Sequence, residues 1–175
     1  TNVYDPGSRY CVPYLWGRVG IVYNAETWRA VTRWGDLFRD TNVDIMALLD
    51  ESRTQLGTIL LYLGYSPNTS NELELEELND YLEVQMWKAS AISADDGQDL
   101  LADGSANLVV EYNGDILQLE QENPSIHYVI PKEGTIIWVD SMCIPANSQN
   151  QELAEKFINF VLKPDVAAAI ANYTR

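Results

Sequence analysis

The sequence predicts an α/β fold built on a mixed sheet, and three observations support this. Short apolar runs of strand length recur along the chain, segments of helical period separate them, and turn residues sit at most junctions. Alternation of this kind packs helices against a sheet whose pairing is mixed rather than wholly parallel. With 175 residues, 46% of them hydrophobic, and scattered charge, the chain can fill a real core and has no signature of disorder.

The elements follow in order. Residues 10–17 and 19–24 read as two extended segments broken at Gly17. Residues 32–38 suggest a short helix with Trp34, Leu37 and Phe38 on its apolar side. The run Ile45-Met46-Ala47-Leu48-Leu49 has the continuous apolar character of a buried strand. Asp50-Glu51-Ser52 leads into a helix carrying Leu56, Ile59, Leu60 and Leu63 on one face, with Gly64 placed to end it. Asn71 and Glu74 have capping-box spacing ahead of Leu75, Leu78, Leu82 and Met86. A strand over 89–93 and a helix over 95–103 come next, then a strand over 108–112 that turns through Asn113-Gly114-Asp115 into a helix reaching Leu119. Strands over 126–130 and 134–145 follow. Ser148 and Gln151 open a last helix bearing Leu153, Phe157, Ile158 and Val161, and Pro164 marks its end.

Charge narrows the function classes. The 26 acidic and 11 basic residues give a net charge of −15, which disfavours nucleic acid and anionic membranes and favours a cationic ligand. No run approaches the roughly 18 apolar residues that span a bilayer. No signal peptide is visible, so the chain reads as mature, cytosolic or a piece of something longer. His127 is the sole histidine, and Cys11 and Cys143 have no metal-type spacing, so neither a metal nor a cofactor is expected. P-loop, dinucleotide and nucleophile-elbow patterns are absent.

The binding chemistry centres on one strand. Residues two apart share a face, so Ile136, Trp138 and Asp140 point the same way. A carboxylate in an apolar strand is costly without a cation or donors, and a neighbouring aromatic face completes an ammonium clamp. Asp50, Glu51 and Asp115 sit where strands give way to helices, the edge at which open α/β sheets gather ligands. Helix capping explains these three equally well, but not Asp140. Tyr14 and Trp16 form a second aromatic pair at period two, suited either to a core or to a pocket for an amine with a long methylene body. Paired carboxylates would also suit a glycoside hydrolase.

Seven motifs in order carry a family likeness: Tyr10-Cys11-Val12-Pro13-Tyr14-Leu15-Trp16-Gly17, Leu63-Gly64-Tyr65-Ser66, Tyr112-Asn113-Gly114-Asp115, Pro131-Lys132-Glu133-Gly134, Trp138-Val139-Asp140-Ser141, Ile144-Pro145-Ala146-Asn147 and the run from Phe157 to Val166. By these the chain resembles the spermidine/putrescine-binding proteins of bacterial polyamine ABC transporters. The resemblance implies a periplasmic-binding-protein type II-like lobe, with the first lobe largely missing. Residues 17–138 would be the second lobe, and 1–16 and 139–175 the hinge strands and helices leading into the other. It implies that Asp140 grips an amine, that Trp138 stacks on the methylene chain, and that Tyr112, Asp115 and Glu51 are further ligand contacts. Thr54 departs from the glutamate common in the family three residues after the Glu51 position.

The same resemblance places Cys11 and Cys143 on two neighbouring hinge strands, where they would form a disulfide in an oxidising compartment or remain two buried thiols. It implies an extracytoplasmic, non-enzymatic protein whose partners are a polyamine and an ABC-transporter permease. A lobe without its counterpart would bind polyamine weakly and could self-associate through apolar surface. The alternatives are the same fold with another small cationic or amino-acid-like solute, or a carboxylate-dependent hydrolase.

Overall fold

A computed structural model describes residues 5–38, 46–85, 91–93 and 96–174. The chain forms two units. A continuous unit spans Arg18–Ile136, and a split unit joins Thr1–Gly17 to Ile137–Arg175.

The strands are β1 (Cys11–Asn24), β2 (Met46–Leu49), β3 (Ala91–Ser93), β4 (Leu108–Tyr112), β5 (Ile126–Val129) and β6 (Ile137–Cys143). In the continuous unit they run in the order β3-β2-β4-β1-β5. Parallel pairing joins β2 to both β3 and β4, and antiparallel pairing joins β1 to β4 and β5, so the sheet is mixed as the sequence predicts. The expected break at Gly17 does not occur. Glycine weakens a strand without ending it when neighbours supply the ladder, and residues 19–24 of β1 are all paired, 21–23 of them on both edges.

Strand alternation builds two cores. Ile21, Leu48 and Val110 face one layer, where they meet Trp34, Ile59, Leu60 and Leu78. Their neighbours Val22, Ala47 and Val109 face the opposite layer with Leu101, Ile116 and Ile126. This is the period-two pattern of a sheet covered on both sides. Gly20 fits because Tyr128 lies across it: an added Cβ would fall 2.4 Å from the tyrosine ring.

Helices α1 (Gly35–Phe38), α2 (Ser52–Leu63), α3 (Glu72–Gln85), α4 (Gly97–Ala102) and α5 (Asn113–Glu122) cover this sheet. Gly64 ends α2 in the left-handed region, at φ 89°. Its N–H donates to Leu61 O at 3.1 Å, and Tyr65 N–H donates to Leu60 O at 2.8 Å, which closes the helix end with a Schellman pair. Of the expected face of α2, Ile59 and Leu60 are buried and Leu63 packs against the core, whereas Leu56 is exposed and Thr54, Gly57 and Thr58 are buried as well. Asn71 caps α3 by accepting from Leu73 N–H at 3.1 Å, while Glu74 accepts from the Asn71 side-chain amide and not from its backbone. Leu78 is buried, Leu75 is exposed, and Met86 lies outside the described residues, as do Ile45, residues 89–90 and Asp95.

Trp34, Phe38, Tyr62 and Tyr81 form a chain of ring contacts within the first core, with centroids 5.5–6.3 Å apart. Trp34 is fully buried, and its indole N–H donates to Gly134 O at 2.9 Å. Glu133 accepts from Trp34 N–H, and Lys132 N–H donates to Thr32 O. The Pro131-Lys132-Glu133-Gly134 motif therefore serves to dock the chain against the segment leading into α1.

The split unit contains β6, which pairs with β1, together with α6 (Gln151–Val161) and α7 (Pro164–Thr174). Pro164 ends α6 as expected and also opens α7, an element the sequence reading did not include. Proline suits a first helical position because its missing N–H has no partner there. Cys11 and Cys143 are joined in a disulfide that spans 132 residues of sequence. Just before it, the Asp5 carboxylate accepts from the N–H groups of Arg9, Tyr10 and Cys11, each at 3.0 Å.

Candidate functional site

The parallel strands β2 and β4 bring their carboxyl ends to one edge of the continuous unit's sheet, in the register Met46↔Leu108 and Ala47↔Val109. Residues 50–51 and 112–115 thus leave the sheet side by side. β1 enters at the same edge, since Val19 pairs with Tyr112. Arg18 N–H donates to Asn113 Oδ1 at 2.7 Å, and the Tyr128 hydroxyl donates to Arg18 O, which fixes the β1 entry against the β4 exit.

Glu51 is the N-cap of α2. Its carboxylate accepts from Arg53 N–H at 3.1 Å and Thr54 N–H at 2.6 Å. A hydrogen bond from the Thr54 side chain, reinforced by these backbone donors and Arg53, holds the carboxyl below its ordinary range against the opposing effect of burial. Of the two acids at this junction, Glu51 does the capping and Asp50 is exposed. Thr54, the departure from the family pattern, is buried and acts on Glu51 directly.

Tyr112 is half-buried, packs against the first core and occupies the N-cap position of α5. Asp115 lies in the first turn of that helix; its backbone position alone is described. In the split unit, alternation along β6 places Trp138 and Asp140 on one face, with Trp138 half-buried and Asp140 exposed. Tyr14 and Trp16 on β1 are exposed at 38% and 63%, so in this chain they do not pack a core. Glu51, Tyr112 and Asp115 thus gather at one sheet edge of the continuous unit, and Trp138 and Asp140 on one strand of the split unit.

Sequence reasoning missed three supporting residues. The Thr54 hydroxyl acts within one helical turn and Asn113 Oδ1 accepts from the N–H of distant Arg18, and neither gives a periodic signal. Asp5 was detectable, because Asp5-Pro6-Gly7 is a turn signature and an aspartate there can close on following N–H groups. Among the described residues, no group of three His, Cys, Asp or Glu side chains is placed to hold a metal ion.

The continuous unit, a mixed sheet with helices packed on both faces, defines the class of fold: α/β. The match to known proteins gives the family. Residues 1–175 match the bacterial extracellular solute-binding proteins, and the chain belongs to that family. It is 36% identical to the spermidine/putrescine-binding periplasmic protein of Salmonella typhimurium over 170 residues, which is 96% of this chain and 49% of that protein. It is 32% identical to the putrescine-binding periplasmic protein SpuD of Pseudomonas aeruginosa, over 98% of this chain and 52% of that protein. Among solved structures, the spermidine/putrescine ABC transporter substrate-binding protein of Streptococcus pneumoniae is similar with a TM-score of 0.83 at 36% identity, across 97% of this chain and 53% of that one. The chain spans about half the length of the relatives it matches.

Proposed function

We propose that this chain is part of an extracytoplasmic solute-binding protein that captures putrescine or spermidine and delivers it to an ABC-transporter permease, without catalysis. The observation that carries the reading is identity of 36% to a spermidine/putrescine-binding protein along 96% of the chain. Physical chemistry supports it. Polyamines are flexible cations, and the chain offers a net charge of −15 together with aromatic faces beside carboxylates. In this reading Asp140 pairs with an ammonium group and Trp138 stacks on the methylene chain. Tyr112 supplies a second aromatic wall, and Asp115 and Glu51 supply further acidic contacts. Glu51 enters with its carboxylate already oriented by the start of α2, which lowers the entropy lost on binding. Residues 17–138 are proposed as one lobe of the whole protein, with 1–16 and 139–175 leading into the other.

Titration calorimetry of the full-length protein with putrescine and with spermidine tests this. Saturable heat is expected with at least one, and Asp140→Asn should weaken binding about 10-fold or more, the value of a charge-assisted hydrogen bond. No heat with either amine overturns the reading.

A further inference from the structure

We propose that Glu120 guards the outer edge of the continuous unit's sheet: its carboxylate occupies the outward N–H of Tyr128, and without it two copies of the protein pair edge to edge through β5. A strand at the end of a sheet presents backbone N–H and C=O groups on which another strand can add. β5 is such a strand, the last in the order β3-β2-β4-β1-β5. Its sequence Ile126-His127-Tyr128-Val129 is rich in β-branched and aromatic residues and suits pairing. It carries neither the lysine nor the proline that commonly blunts an edge.

The device that closes this edge comes from α5. In an antiparallel pair, alternate residues turn their backbone groups to the partner, and those between turn theirs away. Ile126 and Tyr128 lie opposite Asn24 and Val22 of β1, yet their N–H groups donate elsewhere. Ile126 N–H donates to Asn123 O at 3.1 Å, and Tyr128 N–H donates to Glu120 Oε1 at 2.6 Å. Both outward donors are thus taken by the end of α5 and the turn after it. The two acceptors differ in kind. Asn123 O is backbone, fixed by the turn itself, whereas Glu120 offers a half-buried side chain that one substitution removes. Tyr128 is anchored independently, because its hydroxyl donates to Arg18 O and its ring lies across Gly20. Without Glu120 the strand therefore stays in register on β1, with the Tyr128 N–H facing outward. A second copy brings the same edge, and β5 run antiparallel to itself about a two-fold axis matches donors to acceptors in both directions. The polyamine reading plays no part in this.

Light scattering of the full-length protein tests the guard at about 0.15 M salt, where a Debye length of about 8 Å screens repulsion between acidic copies. The mass of Glu120→Ala should rise with concentration toward twice that of wild type. Glu120→Gln, whose amide oxygen still accepts, should match wild type. Alanine is the best helix former, so α5 should persist in the first variant. Hydrogen exchange locates the contact. In dilute Glu120→Ala the Tyr128 amide should exchange about 10-fold faster than in wild type, or more, the value of a hydrogen bond to a charged group. It should regain protection as the mass rises. Glu120→Ala that keeps the wild-type mass overturns the proposal. So does Glu120→Gln that associates equally, or association that leaves the Tyr128 amide unprotected. If Glu120→Ala does not fold, wild type decides alone: a Tyr128 amide without protection shows that Glu120 does not close the edge and overturns the proposal, and a protected one upholds it.

Discussion

Ile21 and Val22, adjacent on β1, are both fully buried, one in each core of the continuous unit; Tyr14 and Trp16, a few residues earlier on the same strand, are exposed. The helices show the same contrast. Within the continuous unit, Ile59 and Leu60 of α2 are buried against the sheet. Within the split unit, α6 has a much sharper apolar stripe than α2, yet Leu153, Phe157 and Phe160 are exposed at 67%, 61% and 52%. An apolar side chain is buried only where a second layer exists to receive it, and pattern alone does not supply that layer. The hydrophobic effect therefore stabilises the two units to very different degrees.

Three substitutions sharpen or break this contrast. Trp34→Ala removes a fully buried ring, its stacking on Phe38 and its bond to Gly134 O, and should destabilise the continuous unit by about 3–5 kcal/mol in urea unfolding. A loss below about 1 kcal/mol would mean the core is not where stability resides.

Glu51→Ala removes the α2 cap and should cost about 0.5–2 kcal/mol near neutral pH. The pH dependence has a definite sign. Hydrogen bonds to the ionised carboxyl lower its folded value, so the stabilisation is complete above the ordinary value of 4.5 and fades as pH falls through the lower folded value. The stability gap between wild type and variant should accordingly narrow between pH 7 and pH 3. A gap independent of pH would show that the carboxylate does not act as a charged cap.

Phe157→Ser should change stability by less than about 0.5 kcal/mol, despite replacing a large aromatic, because the ring is exposed in this chain. A core-sized loss would show that α6 is covered by something, a second copy of the chain included, and sedimentation velocity at two concentrations would identify that case.

Much of the continuous unit was legible in the sequence. The apolar runs at 46–49 and 108–112 are buried strands, and Gly64 ends α2 as its position suggests. These features are local: alternation, helical spacing and left-handed φ are written in consecutive residues. The misread features depend on distant partners. Gly17 does not break β1 because pairing keeps the strand extended, and the buried face of α2 takes in Thr54, Gly57 and Thr58 beside Ile59 and Leu60, which leaves Leu56 outside. Between Asp50 and Glu51, only the geometry of the first turn selects the capping acid.

The candidate site divides the same way. Trp138 and Asp140 sharing a face of a strand followed from period two, and the position of Glu51 and Asp115 after strands followed from strand-like runs giving way to helical segments. The adjacency of residues 51 and 113 did not, because it requires parallel pairing of β2 with β4 across an intervening stretch of about sixty residues.

The sequence by itself determined the α/β class, most of the elements, the acidic character and, through ordered motifs, the family. Only the tertiary structure decided which apolar residues are covered, which acid caps α2, and that Cys11 and Cys143 meet. The physical reason is that backbone preference and periodicity are short-range, whereas burial, strand register and a disulfide depend on where distant segments come to lie.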